Sequence, residues 1–315
     1  MPLIPTLLPV LQALFKGYKG DPTPLANLTI KLITPLSFNH ILNMATKEDL
    51  VLLLDSPAPA TNILGMTMLE KVTASPGDIT ILATMKEVLA SFLIRWLCAP
   101  QVEVGHKAQS VLRELLEIDC DARTTHGLTT GGEEPWVIIK PRPLGQGFIW
   151  RRLFHDEDMY SIIQRLCVLN PPHTISEELL ASVRNQVSLA QGRLLGILPF
   201  LAMLNFTEVA KTDFPSLNKQ QTGLEGSWGL LQFAALHMVD KRDIIMKHNL
   251  NHFFVEFLVT QKVLPYSKYR IDTIREIVRE AMQGDDDLRY EILGIPDRGD
   301  GSPEMYAWIR EIIEP

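Results

Sequence analysis

The chain lacks features that mark several large classes of protein. No block of five or more basic residues occurs in its 315 residues, and the formal net charge is −7. Because phosphate binding requires clustered lysine and arginine, both facts argue against a general nucleic-acid binder. No stretch reaches the roughly 18 uninterrupted apolar residues that predict a membrane-spanning helix. We therefore expect neither a nucleic acid nor a membrane as a partner.

Cysteine is scarce, and no secretion signal is evident. The three cysteines, Cys98, Cys120 and Cys167, show no CxxC spacing, which favours reduced, mostly buried thiols in an intracellular protein. Residues 1–15 are apolar but have no basic region before them and no small-residue cleavage site after them. They predict a first helix rather than a signal peptide. The cytoplasm is the expected compartment, with the nucleus as a second one.

The alternation of apolar and polar residues that marks strands is almost absent, so the sequence predicts an all-α fold. A helix over 46–54 has Thr46 as its cap, and another follows Pro57 and ends before Ser75. Asp78 is expected to cap a long helix that continues to Leu97. Two further helices are predicted over 176–189 and 192–205.

Residues 96–117 organise this helical pattern. They predict the end of one helix, a turn at Pro100 and a second, amphipathic helix. Apolar residues at helical spacing form one buried stripe of the second helix: Val104, Ala108, Val111, Leu112 and Leu115. A second stripe is available to solvent or to a partner: Glu103, Lys107, Ser110 and Glu114.

The same pattern occurs earlier in the chain. Pro57 lies 43 residues before Pro100, and three apolar or small residues align at the same offset: Gly65 with Ala108, Leu69 with Leu112 and Val72 with Leu115. An offset of this size lies within the roughly 40–47 residues of HEAT and armadillo repeats. The sequence therefore predicts one domain over residues 1–315, folded as an armadillo/HEAT-like right-handed helical solenoid.

One segment interrupts the repeats. Within residues 119–147, the stretch 119–143 carries three glycines, three prolines and a short β-like run over 136–139. We expect an irregular insertion there, either a mobile loop or a small hairpin.

No constellation of catalytic or metal-binding residues stands out. His248 and His252 could share a helix face, but HNLNH lacks the glutamate and the third ligand of a metalloprotease. The run 285–287 of three aspartates favours a helix cap. We expect no catalytic residue, no cofactor and no metal, hence no enzyme. Because a helical solenoid presents an extended face, protein binding is the expected function.

Three segments carry a family resemblance: WLCAPQVEVGHKAQSVLRELLEIDCD (96–121), SLAQGRLLGILPFLAMLNF (188–206) and GLEGSWGLLQFAALHMVDKRDIIMKHNLNHFFVEFL (223–258). Together they resemble fungal members of the family of non-ATPase proteasome regulatory-particle chaperones, known as regulatory subunit five in animals. The resemblance implies a C-shaped armadillo/HEAT solenoid that binds the C-terminal domain of one proteasomal AAA+ ATPase subunit. Such a protein helps to assemble the base of the regulatory particle.

The yeast relative also carries an older label as a mismatch-repair-associated protein. The alternative is therefore a helical-repeat scaffold or adaptor in another pathway, such as DNA mismatch repair.

The candidate partner-binding residues come from helix geometry rather than from a family signature. Four lie on the polar stripe of the helix after Pro100: Glu103, Lys107, Ser110 and Glu114. Gln186 and Trp228 are weaker candidates. A mixed charged stripe of this kind would orient a partner more than it would add raw affinity.

Overall fold

A computed structural model describes residues 20–122, 145–169, 176–298 and 301–314, and these residues contain helices and no strand. The helices are α1 (Thr23–Ile33), α2 (Phe38–Leu42), α3 (Lys47–Asp55), α4 (Pro59–Glu70), α5 (Pro76–Thr84), α6 (Lys86–Cys98), α7 (Val102–Asp119), α8 (Phe148–Phe154), α9 (Glu157–Cys167), α10 (Glu177–Leu204), α11 (Phe206–Ala210), α12 (Pro215–Thr222), α13 (Leu230–Gln232), α14 (Ile244–Lys262), α15 (Lys268–Met282), α16 (Asp286–Leu293), α17 (Ile295–Arg298) and α18 (Pro303–Ile313). A 3₁₀ turn, Lys71–Ala74, follows α4, and a π-helix, Phe233–His237, follows α13. The prediction of an all-α fold is confirmed for these residues.

Short polar side chains start the helices as the sequence predicts. Thr46 and Asp49 form a reciprocal capping box at the start of α3. Ser176 caps α10 by accepting a hydrogen bond from the backbone N–H of Leu179. Such caps satisfy N–H groups that have no partner inside the helix.

The helices pack in two rows. One row contains α3, α6 and α9, each packed on the next, and the other contains α1, α4, α7, α10, α14 and α16 in the same way. Hairpins α3–α4 and α6–α7 therefore lie side by side, with α3 against α6 and α4 against α7. The apolar faces between the rows form one continuous core.

The offset of 43 residues between the two sequence copies corresponds to this stacking of hairpins. Every one of the six aligned residues, Gly65, Leu69, Val72, Ala108, Leu112 and Leu115, is buried. The predicted stripe of α7 is buried as well, including Val104 and Val111. The aligned positions are thus buried in both hairpins.

Cationic side chains from neighbouring helices satisfy the carbonyls at several helix C-termini. The Arg95 Nε of α6 donates to the Leu54 carbonyl of α3 at 2.7 Å. The Lys71 Nζ donates to the Thr34 carbonyl just after α1 at 2.6 Å. The last carbonyls of a helix have no partner within it and carry its partial negative charge, so a cation stabilises them.

Residues 78–97 form two helices, which makes the prediction of one long helix wrong. The helices α5 and α6 are separated at Met85, where φ is −91° and ψ is 69°. Ser75, not Asp78, caps α5 by accepting from the backbone N–H of Gly77. The break lets α5 pack on α8 while α6 packs on α3. Arg152 donates to the Ala83 carbonyl, which lies in the last turn of α5.

Residues 177–204 form one helix of 28 residues, where two helices were predicted. Gly192 and Pro199 both lie inside it. Its contacts with α6, α7 and α14 outweigh the local preference of these residues for a break. By length and composition alone α10 could span a membrane, but 56% of its most apolar window is buried inside the fold.

The predicted insertion 119–147 and the predicted first helix 1–15 fall largely outside the described residues. The two ends of the insertion are described, and they meet. The Gly145 N–H donates to the Cys120 carbonyl at 3.0 Å, and the Gly147 N–H donates to the Asp119 carbonyl at 2.8 Å. Gly147 has a φ of +67°, which favours glycine. The two described ends of the segment thus lie side by side.

The Asp119 carboxylate holds that junction. It is 2% exposed and accepts hydrogen bonds from the backbone N–H groups of Phe148, Ile149 and Trp150, at 3.2, 2.6 and 3.2 Å. These N–H groups open α8 and have no partner inside it. Burial raises the pKa of the Asp119 carboxyl, and the three N–H donors oppose this shift. One buried side chain thereby joins the end of α7 to the start of α8.

We predict that Asp119→Ala lowers the free energy of unfolding by about 2–3 kcal/mol, because three buried N–H groups lose their acceptor. Urea unfolding followed by far-UV circular dichroism measures the change. Asp121→Ala is the matched control: Asp121 lies two residues away, is 47% exposed and is 3.8 Å from Arg151. Its removal is expected to cost less than about 0.5 kcal/mol. Equal stability of the two variants would contradict the role given to Asp119.

Candidate functional site: a groove along helix α10

A groove open to solvent runs along α10, which we call the α10 groove. Its three depressions all touch Ser188 of α10; two of them also touch Arg184, and the third continues past Gly192 to Gly196. The part beside the two glycines has a volume of about 430 Å³. That is within the size range of small-molecule sites, but those usually bury most of their ligand. An open groove along a helix is better suited to a polypeptide segment.

Neighbouring helices of the same row supply the two walls of the α10 groove. Gln109 comes from α7 on one side, and Asn249, His252 and Glu256 come from α14 on the other. Asn249, His252 and Glu256 lie three or four residues apart and therefore share one face of α14. The groove thus spans three successive helices of the row.

Arg193 fixes the helices under the groove. Its Nη1 donates to the Trp96 carbonyl and its Nη2 to the Ala99 carbonyl, each at 2.6 Å. The guanidinium therefore satisfies the C-terminal carbonyls of α6 from α10. Burial lowers the pKa of Arg193. Its charge is engaged within the fold and is not offered to a ligand.

Gly105 of α7 makes room for this guanidinium. A Cβ atom at position 105 would lie 2.2 Å from the Arg193 Nη2 and 2.4 Å from its Cζ. Real carbon atoms do not approach that closely, so the arginine would have to leave its carbonyls. Gly105 is therefore required by packing.

Gly192 and Gly196 differ from Gly105, because the fold leaves space for a side chain at both positions. The nearest atom to a Cβ at position 192 is the Asn249 Nδ2, and at position 196 it is the Gln109 Nε2, each at 3.8 Å. Glycine inside a helix costs roughly 0.5–1 kcal/mol relative to alanine. The two glycines thus lower stability without relieving any clash, and they leave the floor of the groove bare.

Uncharged polar side chains reach over this floor from both walls. The Gln109 carboxamide makes no hydrogen bond to any residue that the structure describes, and the Asn249 Nδ2 has only the Met246 sulfur at 3.8 Å. Each carboxamide offers both donors and an acceptor, as a peptide unit does. Both lie over the bare helix floor, from opposite walls.

The predicted polar stripe of α7 is only partly free. Glu103 is exposed, whereas Ser110 and Glu114 are half-buried. Lys107 is engaged within the chain, since its Nζ lies 2.6 Å from the Glu70 carboxylate of α4, and both side chains are about one-third exposed or less. The Lys107 ammonium group thus already has an ionic partner within the chain, and its contact with a partner protein stays a prediction. The stripe tilts toward α4, and Gln109 rather than Lys107 faces the α10 groove.

Gln186 and Trp228 lie apart from the residues that line the α10 groove. Gln186 is half-buried, and its amide nitrogen has no partner among the described residues. Trp228 is half-buried, forms an isolated bridge with Lys211 and packs its ring 4.7 Å from the His237 ring. The structure thus does not bring the six predicted residues together.

The polar clusters noted in the sequence are structural. Asp285 caps α16 and pairs with Lys241 and Lys247. Among the described residues no group of three or more histidines, cysteines, aspartates or glutamates could hold a metal ion. The three cysteines form no disulfide with one another; Cys120 and Cys167 are buried and Cys98 is half-buried. Burial raises the pKa of Cys98 and of Cys167.

Comparisons of the chain with protein-family models, with curated proteins and with solved structures find no match.

We predict opposite effects on stability for two Gly→Ala substitutions. Gly105→Ala is expected to displace Arg193 and to lose two hydrogen bonds from a charged donor, worth about 1.5–3 kcal/mol each. That loss exceeds the gain of about 1 kcal/mol in helix propensity. Gly192→Ala gains propensity without a clash, so it is expected to stabilise the chain by about 0.5–1 kcal/mol.

Thermal and urea unfolding of both variants provide the measurement. A shift in the same direction for Gly105→Ala and Gly192→Ala would contradict the distinction between a packing glycine and a bare groove floor.

Proposed function

We propose that this chain is an armadillo/HEAT-like helical solenoid that binds a partner protein in the α10 groove. The partner is the C-terminal domain of a proteasomal AAA+ ATPase subunit, held during assembly of the regulatory-particle base. Support for the solenoid comes from the two rows of helices, since hairpins that stack at a regular offset are the building plan of such folds.

The observation that carries the proposal is where the three resembling segments lie in the fold. They contribute α7, α10 and α14, which are the two walls and the floor of the α10 groove. Residues 122–187 and 207–222 separate the three segments in the chain, yet the three helices meet around one groove. This convergence favours a partner-binding role for the groove.

The chemistry of the groove favours a polypeptide as ligand. Gln109 and Asn249 offer carboxamides on opposite walls, and Ser188 adds a hydroxyl group on the floor. The charged groups Glu256 and His252 stand at the α14 rim, 48% and 72% exposed. Polar uncharged groups of this kind pair with main-chain N–H and C=O groups. The bare floor at Gly192 allows a backbone to approach α10 closely.

Purified chain should be tested in pull-downs against the separate C-terminal domains of the proteasomal ATPase subunits. Selective capture of one domain is expected. Gly192→Leu places a side chain in the groove and is expected to lower the affinity at least about tenfold, or 1.4 kcal/mol. Gly77→Leu is the matched control, because Gly77 is exposed on α5, away from the groove, with its nearest neighbouring atom 3.6 Å from a Cβ.

The possible outcomes test the identity of the partner and the location of the binding site separately. Capture of no ATPase domain would overturn the proposed partner, and capture of a mismatch-repair protein instead would favour the adaptor alternative. If the Gly192→Leu variant captures the same domain with unchanged affinity, the binding surface lies outside the α10 groove. Circular dichroism of each variant confirms that the helices are retained.

A further inference from the structure

His155 lies between two carboxylates that belong to another part of the fold. It directly follows α8, and its Nδ1 is 2.5 Å from the Asp213 Oδ2 while its Nε2 is 2.7 Å from the Glu208 Oε2. Glu208 belongs to α11, and Asp213 lies between α11 and α12. Both ring nitrogens are therefore engaged by acceptors more than 50 residues away in sequence.

The protonation state of the ring follows from this geometry. An ionised carboxylate only accepts hydrogen bonds, and a neutral imidazole has one N–H donor and one lone pair. A neutral His155 would direct its lone pair at one of the two carboxylates. Only the imidazolium, with a donor on each nitrogen, satisfies both contacts.

We propose that protonated His155 is a pH-dependent joint between hairpin α8–α9 and the segment that carries α11 and α12. Loss of the proton breaks one of its two ionic hydrogen bonds and loosens the segment. The same segment is also held to α9 by buried contacts: the Gln164 Nε2 donates to the Asn218 Oδ1 at 2.8 Å, and the Tyr160 ring packs 5.7 Å from the Phe214 ring. The joint is thus a contact separate from the buried ones that hold the segment to hairpin α8–α9.

The other cationic side chains near His155 are paired with groups other than Glu208 and Asp213. On its own side, Arg152 pairs with Asp156, and Asp156 also pairs with Lys86 of α6. On the opposite side, Lys211 lies over the Tyr269 ring at 4.5 Å. These cations are engaged elsewhere, so the imidazolium supplies the positive charge between Glu208 and Asp213.

The direction of the pH effect follows from the pKa of His155. Partial burial acts to lower it, but the Asp213 and Glu208 carboxylates outweigh burial and raise the pKa above the usual 6.5. A histidine whose folded pKa is raised stabilises the fold fully below its unfolded pKa. That stabilisation is lost as the pH rises through the folded pKa. The joint is closed in mildly acidic solution and opens toward alkaline pH.

The first test is an NMR titration of the His155 ring in the full chain. We expect a pKa above 6.5, and Asp213→Asn and Glu208→Gln should each lower it because each removes one charged acceptor. A pKa at or below 6.5, or one that neither substitution moves, would overturn the proposal.

The second test asks whether the ionic contact acts as a joint. Hydrogen exchange is compared between the unaltered chain and His155→Gln at one fixed pH below 6.5. We expect the amides of residues 206–222 to exchange at least about threefold faster in the variant. His248→Gln, at an exposed position of α14, is the control and should exchange like the unaltered chain. Unchanged exchange in His155→Gln would show a local ion pair without a joint, against the proposal.

Discussion

The carbonyl groups at helix C-termini are the constraint on which this fold depends. A chain built from stacked helices has many such ends, and each leaves carbonyls that the helix cannot satisfy. Here long side chains from other elements reach them: Lys71 after α1, Arg95 at α3, Arg152 at α5, Arg193 at α6 and Gln191 at α9. Each such contact sets the position of one helix against another more sharply than apolar burial alone, because its geometry is directional.

The same constraint shapes the α10 groove. Arg193 lies on α10, yet its guanidinium donates hydrogen bonds to the carbonyls at the end of α6 beneath the groove. A bare glycine at position 105 is what lets it reach them. The part of the groove beside Gly192 and Gly196 offers the carboxamides of Gln109 and Asn249 and the Ser188 hydroxyl group, with Glu256 and His252 at its rim. The Arg193 guanidinium lines the same part of the groove but is held by the carbonyls of α6.

The spacing of apolar residues along the sequence predicted most helices. Where helices break or continue, and which side chains pair, depends on contacts between residues distant in sequence. The buried stripe of α7 and the 43-residue repeat follow from periodicity, which a sequence displays directly. The break at Met85 and the unbroken α10 depend on what each helix packs against, which periodicity does not contain. Lys107 looked free because its partner, Glu70, is brought near only when α4 and α7 stack. Gln109 and Asn249 resemble any exposed polar residue, and only the four-residue spacing of Ser188, Gly192 and Gly196 hinted at the groove.

The order in which donor and acceptor occur along the sequence has a consequence for folding during synthesis. In the first half of the molecule the donor follows its acceptor in sequence, and Arg193 comes almost a hundred residues after Trp96. At the ends of α15 and α18 the order is the opposite, with Lys241 preceding Ala281 and Arg275 preceding Glu311. Since a ribosome releases the N-terminal part first, the end of α3 meets its donor when α6 emerges, whereas the end of α6 meets Arg193 only when α10 emerges. The ends of α15 and α18 instead meet Lys241 and Arg275, which have been synthesised before them. Synthesis of α10 is therefore the step at which a nascent chain of this protein can satisfy the end of α6.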